Sequence, residues 1–141
     1  MEKLKGSESN RVNTLAYATE GLSDSSAVAK ASIQVENIQG PILLFSGSND
    51  EVWPAAMMSD MIEKRITRSG FGFSFENIQY EHAGHLISAN PDFPPTTRQG
   101  KLMIDGKSYD YNFGGTVDGD MAAQKDATMR VFDFLSKLRN E

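Results

Sequence analysis

PILLFSGSND, residues 41–50, is the stretch of sequence that decides the fold of this chain. Ile42–Phe45 is apolar at every position, so both faces of an extended strand are apolar there. That pattern is typical of a parallel strand covered by helices on both sides. Pro41 suits the first position of such a strand, where no ladder donor is needed. The polar loop Ser46–Asp50 then follows, so the stretch predicts a strand that delivers a carboxylate to the edge of a parallel sheet.

A helix and a second strand follow this loop. Pro54 suits the first turn of a helix, and Ser69-Gly70 ends it. Residues spaced at i, i+3, i+4 and i+8 give the helix one apolar face. They are Met58, Met61, Ile62 and Ile66. Alternating apolar residues then predict a strand near 75–81, which is followed by Ala83-Gly84-His85.

A strand–helix–strand unit places the loops after its two strands side by side, at the edge where open α/β sheets bind ligands. Asp50 follows the first strand and His85 follows the second. A carboxylate in that position holds the ring tautomer of a histidine and stabilises its imidazolium while the histidine moves a proton. We therefore expect Asp50 and His85 to lie close together.

The flanking segments are less regular. Residues 1–11 are polar and predict a loose arm. A turn cluster at Ser23–Ser26 precedes Ala27–Ala31, which predicts a brief capped helix. The alternation of residues 33–36 predicts a short extended piece. We accordingly divide the chain into a polar arm with a short helix, residues 1–30, and an α/β domain, residues 31–141.

The carboxyl-terminal part predicts a hairpin and a long helix. A proline-rich loop at 90–98 comes first. Lys101–Ile104 and Tyr109–Phe113 flank Asp105-Gly106, and Asp-Gly accepts left-handed turn conformations. Gly114-Gly115-Thr116 opens the last helix, in which Asp118 and Asp120 complement the macrodipole. Its expected buried stripe is Ala123, Ala127, Val131, Phe134, Leu135 and Leu138.

Several motifs in order resemble the carboxyl-terminal part of α/β-hydrolases. They are IQVENIQGPILLFSGSNDEVWP, NIQYEHAGHLI, PPTT and GGTVDGDMAAQKDATMRVFDFL. The closest group is the acyl-CoA thioesterases and bile acid-CoA:amino acid N-acyltransferases, whose C-terminal domain also resembles dienelactone hydrolase. The resemblance covers roughly residues 31–138 and implies an α/β fold of parallel strands, flanking helices and a hairpin.

The resemblance also implies roles for two residues. The family uses a nucleophile–histidine–acid triad whose acid lies in a G-x-x-D-x-x-W pattern, here Gly47 to Trp53, which maps the acid to Asp50. The histidine follows a glycine, which maps it to His85. The departure is the nucleophile: the family carries it upstream in a G-x-[SC]-x-G elbow. This chain has no such elbow and no cysteine, and it looks like the last third of such an enzyme.

Other interpretations compete with these roles. Asp50 is also an ordinary turn-stabilising residue, and His82 lies in the same loop as His85 but lacks the preceding glycine. Neither Ser46 nor Ser48 sits on a strained elbow, so neither is assigned as a nucleophile.

Three further features have structural explanations that we prefer. Trp53 is interpreted as a packing anchor rather than a substrate platform. Met57, Met58 and Met61 are interpreted as core residues, although methionine clusters also form binding surfaces. Gly114-Gly115 resembles a phosphate loop, but a helix start explains it without a ligand.

Composition excludes several classes of function. The net charge is −5 and no basic stripe is present, which argues against a nucleic-acid partner. The absence of cysteine excludes disulfides and thiolate chemistry. No stretch approaches the roughly 18 apolar residues of a membrane span, and the start MEKLKGSESN lacks the apolar centre of a signal peptide. We expect a cytoplasmic protein of 141 residues with no cofactor and no metal.

Two functions of different classes remain open. In the first, the chain carries the acid and histidine of a hydrolase or acyltransferase for acyl esters or thioesters, and a missing N-terminal portion or another chain supplies the nucleophile. In the second, it is an inactive remnant that binds a partner. In both cases we expect a homodimer, because the resemblance implies that the strand at Ile42–Phe45 is flanked in the parent fold by strands that this chain lacks.

Overall fold

The computed structural model describes residues 10–88 and 96–139, which form a mixed α/β fold. The helices are α1 (Thr14–Gly21), α2 (Ser25–Ala31), a 3-10 turn (Val35–Asn37), α3 (Ala55–Ser69) and α4 (Val117–Arg139). The strands are β1 (Ile42–Gly47), β2 (Phe75–Tyr80), β3 (Gln99–Ile104) and β4 (Lys107–Asn112). The α/β class, the parallel strands and the hairpin expected from the sequence are confirmed.

The two parallel strands are joined by α3, as the strand–helix–strand pattern predicts. β1 pairs with β2 in a register that sets Ile42 opposite Phe75 and Gly47 opposite Tyr80. Both α3 and α4 pack against β1. Ile42–Phe45 is nevertheless only half-buried, which corrects the expectation of a fully covered strand. Among the described residues, β1 pairs on one edge only, so its other edge and part of its surface stay open.

Helix α3 begins after Pro54 and ends at Gly70, which adopts the left-handed conformation with φ 67°. Its apolar face is buried at Ile66 and half-buried at Met61 and Ile62. Met57 and Met58 are 47% and 40% exposed, so their interpretation as core residues is wrong. They lie in the first turn of α3, and the described elements around it do not enclose either side chain.

The hairpin forms where Asp105-Gly106 predicts it. Both turn residues have positive φ, 50° and 74°, which Asp and Gly tolerate better than other residues. The flanking strands pair antiparallel, with Ile104 opposite Lys107 and Gln99 opposite Asn112. Most of the predicted proline-rich loop at 90–98 lies outside the described residues.

The amino-terminal segment is partly attached to this hairpin. The carbonyl of Asn10 accepts a hydrogen bond from the Asp110 amide at 2.8 Å, and the Val12 amide donates to the Asp110 carbonyl at 2.9 Å. Val12 is 3% exposed. The loose-arm prediction is therefore wrong for residues 10–11, because backbone pairing to β4 fixes them. The remaining residues of the predicted arm, 1–9, lie outside the described part of the chain.

The rest of this segment is helical. α2 forms as predicted and is capped by the Asp24 side chain, which accepts from the Ser26 and Ala27 amides. The extended piece expected at residues 33–36 is wrong, because Val35–Asn37 is a 3-10 turn. The Glu36 carboxylate in that turn pairs with Arg65 on α3, which anchors the turn to the helix.

Helix α4 is buried only in its first half. Ala123 and Ala127 are buried, as their positions in the stripe predict. Phe134 is half-buried, whereas Val131, Leu135 and Leu138 are 40%, 54% and 40% exposed. The predicted stripe is thus wrong at these three positions, because the second half of the helix extends past the described elements that would cover it. No helix within the described ranges is long and apolar enough to span a bilayer.

Candidate functional site

The Asp50 carboxylate is held at the carboxyl end of β1 by its own loop. Asp50 is 8% exposed. Its Oδ1 atom accepts hydrogen bonds from the amides of Val52 at 2.7 Å and Trp53 at 3.0 Å. Backbone donors of this kind stabilise the charged carboxylate and fix its orientation. The loop therefore fixes the orientation of the carboxylate and leaves its second oxygen, Oδ2, to contact another residue.

That second oxygen meets His85. Asp50 Oδ2 lies 3.0 Å from His85 Nδ1. The Asp50 side chain is 6% exposed, whereas the His85 side chain is 34% exposed. With Nδ1 engaged by the carboxylate, Nε2 is the nitrogen left to exchange a proton. The structure thus brings together the two residues that the sequence singled out as an acid–histidine pair.

Phe113, which follows β4, supports the histidine from the other side. The His85 amide donates to the Phe113 carbonyl at 2.9 Å. The two rings stack with centroids 6.1 Å apart and an interplanar angle of 13°. Tyr111 packs edge-on against Phe113, with centroids 5.5 Å apart. The imidazole therefore lies between a carboxylate and an aromatic face supplied by the hairpin.

Two fully buried polar residues of α4 hold the backbone around His85, and sequence reasoning missed this role. Asp120 Oδ1 accepts from the Gly84 amide at 2.6 Å, and Gln124 Nε2 donates to the Leu86 carbonyl at 2.5 Å. Asp120 and Gln124 are both 0% exposed. The signal in the sequence is their spacing of one helical turn on the face that also carries the buried alanines.

Arg98 compensates the charge of Asp120. Its guanidinium donates to Asp120 Oδ2 and to the Gly114 carbonyl. A buried carboxylate is tolerated only when it is paired and hydrogen-bonded. Arg98 therefore ties α4 to the glycine loop that precedes it, next to the Asp50–His85 pair.

Three loops meet in backbone contact beneath the pair. The Asn49 amide donates to the Ala83 carbonyl at 2.9 Å, and the Gly115 amide donates to the Asn49 carbonyl at 3.0 Å. A Cβ atom added at Gly47 or Gly84 would overlap backbone atoms of the neighbouring loop. A Cβ atom at Gly114 or Gly115 would overlap backbone atoms in the same way, and the φ values of these two residues are 72° and 65°. The two glycines are thus required by close backbone approach as well as by the start of α4.

The other residues that were considered from the sequence for a functional role do not take part in the Asp50–His85 hydrogen bond. His82 is exposed with φ 61°, and Asp50 bonds His85 instead of His82. Ser46 is buried and its hydroxyl lies 3.2 Å from that of Ser59. Trp53 is 51% exposed, so its interpretation as a packing anchor is wrong, because no described segment covers its ring.

A polar cleft of about 680 Å³ borders the acid loop. It is lined by Glu51, by residues 96–101 at the start of the hairpin, and by Gly114 and Gly115. No group of three or more potential metal-ligating side chains occurs within residues 10–88 and 96–139. The arrangement that these residues do supply is a hydrogen-bonded carboxylate–imidazole pair beside an open cleft.

One protein-family profile matches the whole chain. Residues 1–141 match the sequence profile of the family described as BAAT / Acyl-CoA thioester hydrolase C terminal. The search of curated proteins found no match to this chain.

Proposed function

Because this chain belongs to the BAAT / acyl-CoA thioester hydrolase C-terminal family, we propose that Asp50 and His85 are the acid and the histidine of a triad acting on acyl esters or thioesters. The observation that carries the proposal is the 3.0 Å contact between Asp50 Oδ2 and His85 Nδ1 at the carboxyl ends of two paired parallel strands. The family membership supplies the class of reaction, and the contact supplies the residues.

The chemistry assigned to His85 is proton transfer at Nε2. A hydroxyl or thiol nucleophile adds to the acyl carbon and gives its proton to Nε2. The tetrahedral intermediate then expels the alcohol or thiol leaving group, which takes up that proton. Water or an amine acceptor attacks the acyl-enzyme in the second half, again through Nε2. Asp50 holds the ring through Nδ1 and stabilises the positive charge that develops on it.

The nucleophile comes from outside these residues in this proposal. The sequence has no cysteine and no G-x-S-x-G elbow. No hydroxyl group in the described part of the chain is hydrogen-bonded to His85. A second polypeptide segment therefore has to place its nucleophile next to Nε2.

The first experiment measures the chain alone. An aryl ester and a long-chain acyl-CoA are incubated with wild-type protein and with His85→Ala. We expect no saturable turnover, because acid–base help without a nucleophile is worth roughly 10²–10⁴-fold at most. Saturable turnover that His85→Ala abolishes would show that a nucleophile is present within the chain.

The second experiment supplies the nucleophile. The chain is fused behind the elbow-bearing portion of an active family member, and kcat/KM is measured for the same substrates. His85→Ala is expected to lower kcat by roughly 10³-fold or more, as removal of a triad member does. His82→Ala is the matched control and should leave kcat within about twofold. Equal activity of the His85→Ala and His82→Ala fusions would refute the assignment of His85.

A second function is favoured by a different observation. Phe132 and Leu135 on α4 are 67% and 54% exposed, and β1 has an open edge in the described part of the structure. In this alternative the chain is an interaction module and the Asp50–His85 contact only stabilises a loop. The mass of the native protein, alone and with copurifying material, discriminates the two: a stable complex without hydrolase activity in the fusion favours the module.

A further inference from the structure

A second concave site lies on another part of the molecule. A groove of about 870 Å³ runs between the α1–α2 segment and α3, and neither Asp50 nor His85 lines it. Its volume falls in the range of about 300–1,000 Å³ that is typical of small-molecule sites. The large apolar side chains that line it are Leu22, Val28, Ile33, Met58, Met61 and Ile62.

The apolar lining is accessible rather than sealed. Ile33 is 79% exposed and Met58 is 40% exposed, although both belong to the groove. An exposed apolar concavity rimmed by polar groups is the usual signature of a binding site. Methionine side chains adapt their shape to flexible apolar ligands.

The rim of the groove is cationic. Three basic residues, Lys64, Arg65 and Arg68, line it together with no acidic residue, in a chain whose net charge is −5. Arg65 is not available to a ligand, because its guanidinium donates two hydrogen bonds to the Glu36 carboxylate. That pair holds the wall of the groove in place. Lys64 and Arg68 are one helical turn apart and make no ion pair with any residue in the described ranges.

We propose that this groove binds a straight-chain carboxylic acid. The aliphatic chain lies along the apolar lining, and the carboxylate meets Lys64 and Arg68 at the rim. A carboxylate is preferred over a neutral or cationic head group because Lys64 and Arg68 line the groove. Asp60 and Glu63 lie beside these two cations in a neighbouring depression but do not line the groove itself. This site is separate from the Asp50–His85 pair, so the proposal does not depend on the proposed triad.

The test uses the full chain and dodecanoate below its micelle concentration. Backbone amide shifts are recorded in ¹H–¹⁵N NMR spectra during the titration. We expect saturable shifts at α2 and α3, and weaker binding by at least tenfold for butanoate, since each buried methylene lowers Kd by roughly fourfold. Dodecyltrimethylammonium, which has the same chain and the opposite charge, should bind at least tenfold more weakly than dodecanoate.

Variants at exposed positions separate the head group from the chain. Lys64→Glu/Arg68→Glu should raise the Kd for dodecanoate at least tenfold, and Ile33→Asp should also weaken binding. Lys137→Glu, an exposed charge reversal on α4, is the matched control and should leave Kd unchanged.

Several results would overturn the proposal. They are the absence of saturable shifts at α2 and α3, equal affinity for dodecyltrimethylammonium, and an unchanged Kd in the double charge reversal. Shifts confined to the exposed part of α4 would indicate non-specific adsorption instead. Shifts in the groove with an acidic amphipathic peptide, but not with dodecanoate, would assign the groove to a protein partner.

Discussion

Asp120 and Gln124 lie one turn apart on α4 and bind the peptide groups on the two sides of His85. Asp120 receives the Gly84 amide, and Gln124 donates to the Leu86 carbonyl. The histidine backbone is therefore fixed by a helix that is not part of the strand–helix–strand unit. The position of the imidazole relative to Asp50 depends on how that helix docks.

Asp120→Ala should be one of the most destabilising single substitutions in the chain. It removes a fully buried carboxylate that pairs with Arg98, whose side chain is only 28% exposed. Loss of one partner of a fully buried ion pair costs about 3–5 kcal/mol. Because Arg98 is partly exposed and still donates to the Gly114 carbonyl, we expect a loss of about 2–3 kcal/mol. Urea unfolding followed by circular dichroism measures the change in the free energy of unfolding.

Asp118→Ala is the matched control for this experiment. Asp118 is an exposed acid in the same first turn of α4, so its loss affects mainly the helix macrodipole. That contribution is about 0.3–1 kcal/mol. Equal losses in the two variants would mean that the contacts of Asp120 do not contribute to stability.

Gly47→Ala should prevent normal assembly of the three loops. A methyl group there would overlap the carbonyl groups of Ala83 and Gly84, which are backbone atoms and cannot move aside. We expect a loss of at least about 3 kcal/mol, or no folded protein. Gly40→Ala is the control, because nothing lies within 4 Å of its added methyl group. Thermal unfolding of both variants decides the point, and a stable Gly47→Ala would contradict the close approach.

Asp50 should select the tautomer of His85. A carboxylate that accepts a hydrogen bond from Nδ1 leaves the proton on that nitrogen when the ring is neutral. Long-range ¹H–¹⁵N spectra above pH 8 should therefore show His85 protonated at Nδ1, and Asp50→Asn should change that pattern. His82 is an internal control, and its spectrum should be the same in the wild type and in Asp50→Asn. A His85 spectrum that is the same in Asp50→Asn would show that the contact is absent in solution.

Tyr80 should make the fold sensitive to alkali. Burial raises the pKa of Tyr80, and the hydrogen bond that its hydroxyl donates to Asp126 raises it further. A group whose pKa is raised on folding contributes stability that is complete below its unfolded pKa of about 10 and is lost as the pH rises above it. Urea unfolding at pH 8, 10 and 11 should show this loss in the wild type.

Tyr80→Phe separates this effect from general alkaline unfolding. It should cost about 1 kcal/mol at pH 8 through the lost hydrogen bond, and its stability should then fall less steeply above pH 10. Tyr17→Phe is the control, because Tyr17 is 56% exposed. Identical slopes for the Tyr80→Phe and Tyr17→Phe variants would contradict the raised pKa.

The chain should form a homodimer. Antiparallel pairing of two β1 strands across a twofold axis would close the open sheet edges, and α4, which packs on β1, would bury its exposed apolar residues in the same interface. A stable interface of this kind exceeds about 1,000 Å². Sedimentation at micromolar concentration should give the dimer mass. A monomer would contradict the prediction.

Phe132→Asp/Leu135→Asp should dissociate that dimer. Both residues are exposed in the single chain, so charges there cost little in the monomer and much in an apolar interface. Lys137→Asp is the control on the same helix and should leave the mass unchanged. A dimer that persists in the double variant would place the interface elsewhere.

The sequence predicts those parts of the fold that depend on local patterns. The β1–α3–β2 unit follows from a run of apolar residues and a helical period, and the hairpin follows from the conformational freedom of Asp105-Gly106. Asp50 and His85 could be singled out because parallel strands deliver their loops to one edge. Each of these inferences uses residues close together in the chain.

The features that could not be predicted depend on distant partners. Asp120 accepts from an amide 36 residues away, and nothing in the local sequence distinguishes that role from a contact with the helix dipole. Leu135 and Leu138 follow the period of a buried stripe, yet burial depends on what packs against them. Glu36 lies in an alternating segment, but its pairing with Arg65 favours a turn over an extended piece.

The backbone contacts among the three glycine-containing loops have a consequence for recognition. Loops that carry functional groups usually exchange their amide hydrogens quickly and become ordered only when a ligand arrives. Here the amides of Asn49, Gly115 and Thr116 donate to carbonyls of neighbouring loops. The conformational entropy of these segments is lost when the protein folds, so the loops that carry Asp50 and His85 are ordered before any ligand binds. Slow hydrogen exchange at this edge, comparable to that of the strands, is what such a preorganised site would show.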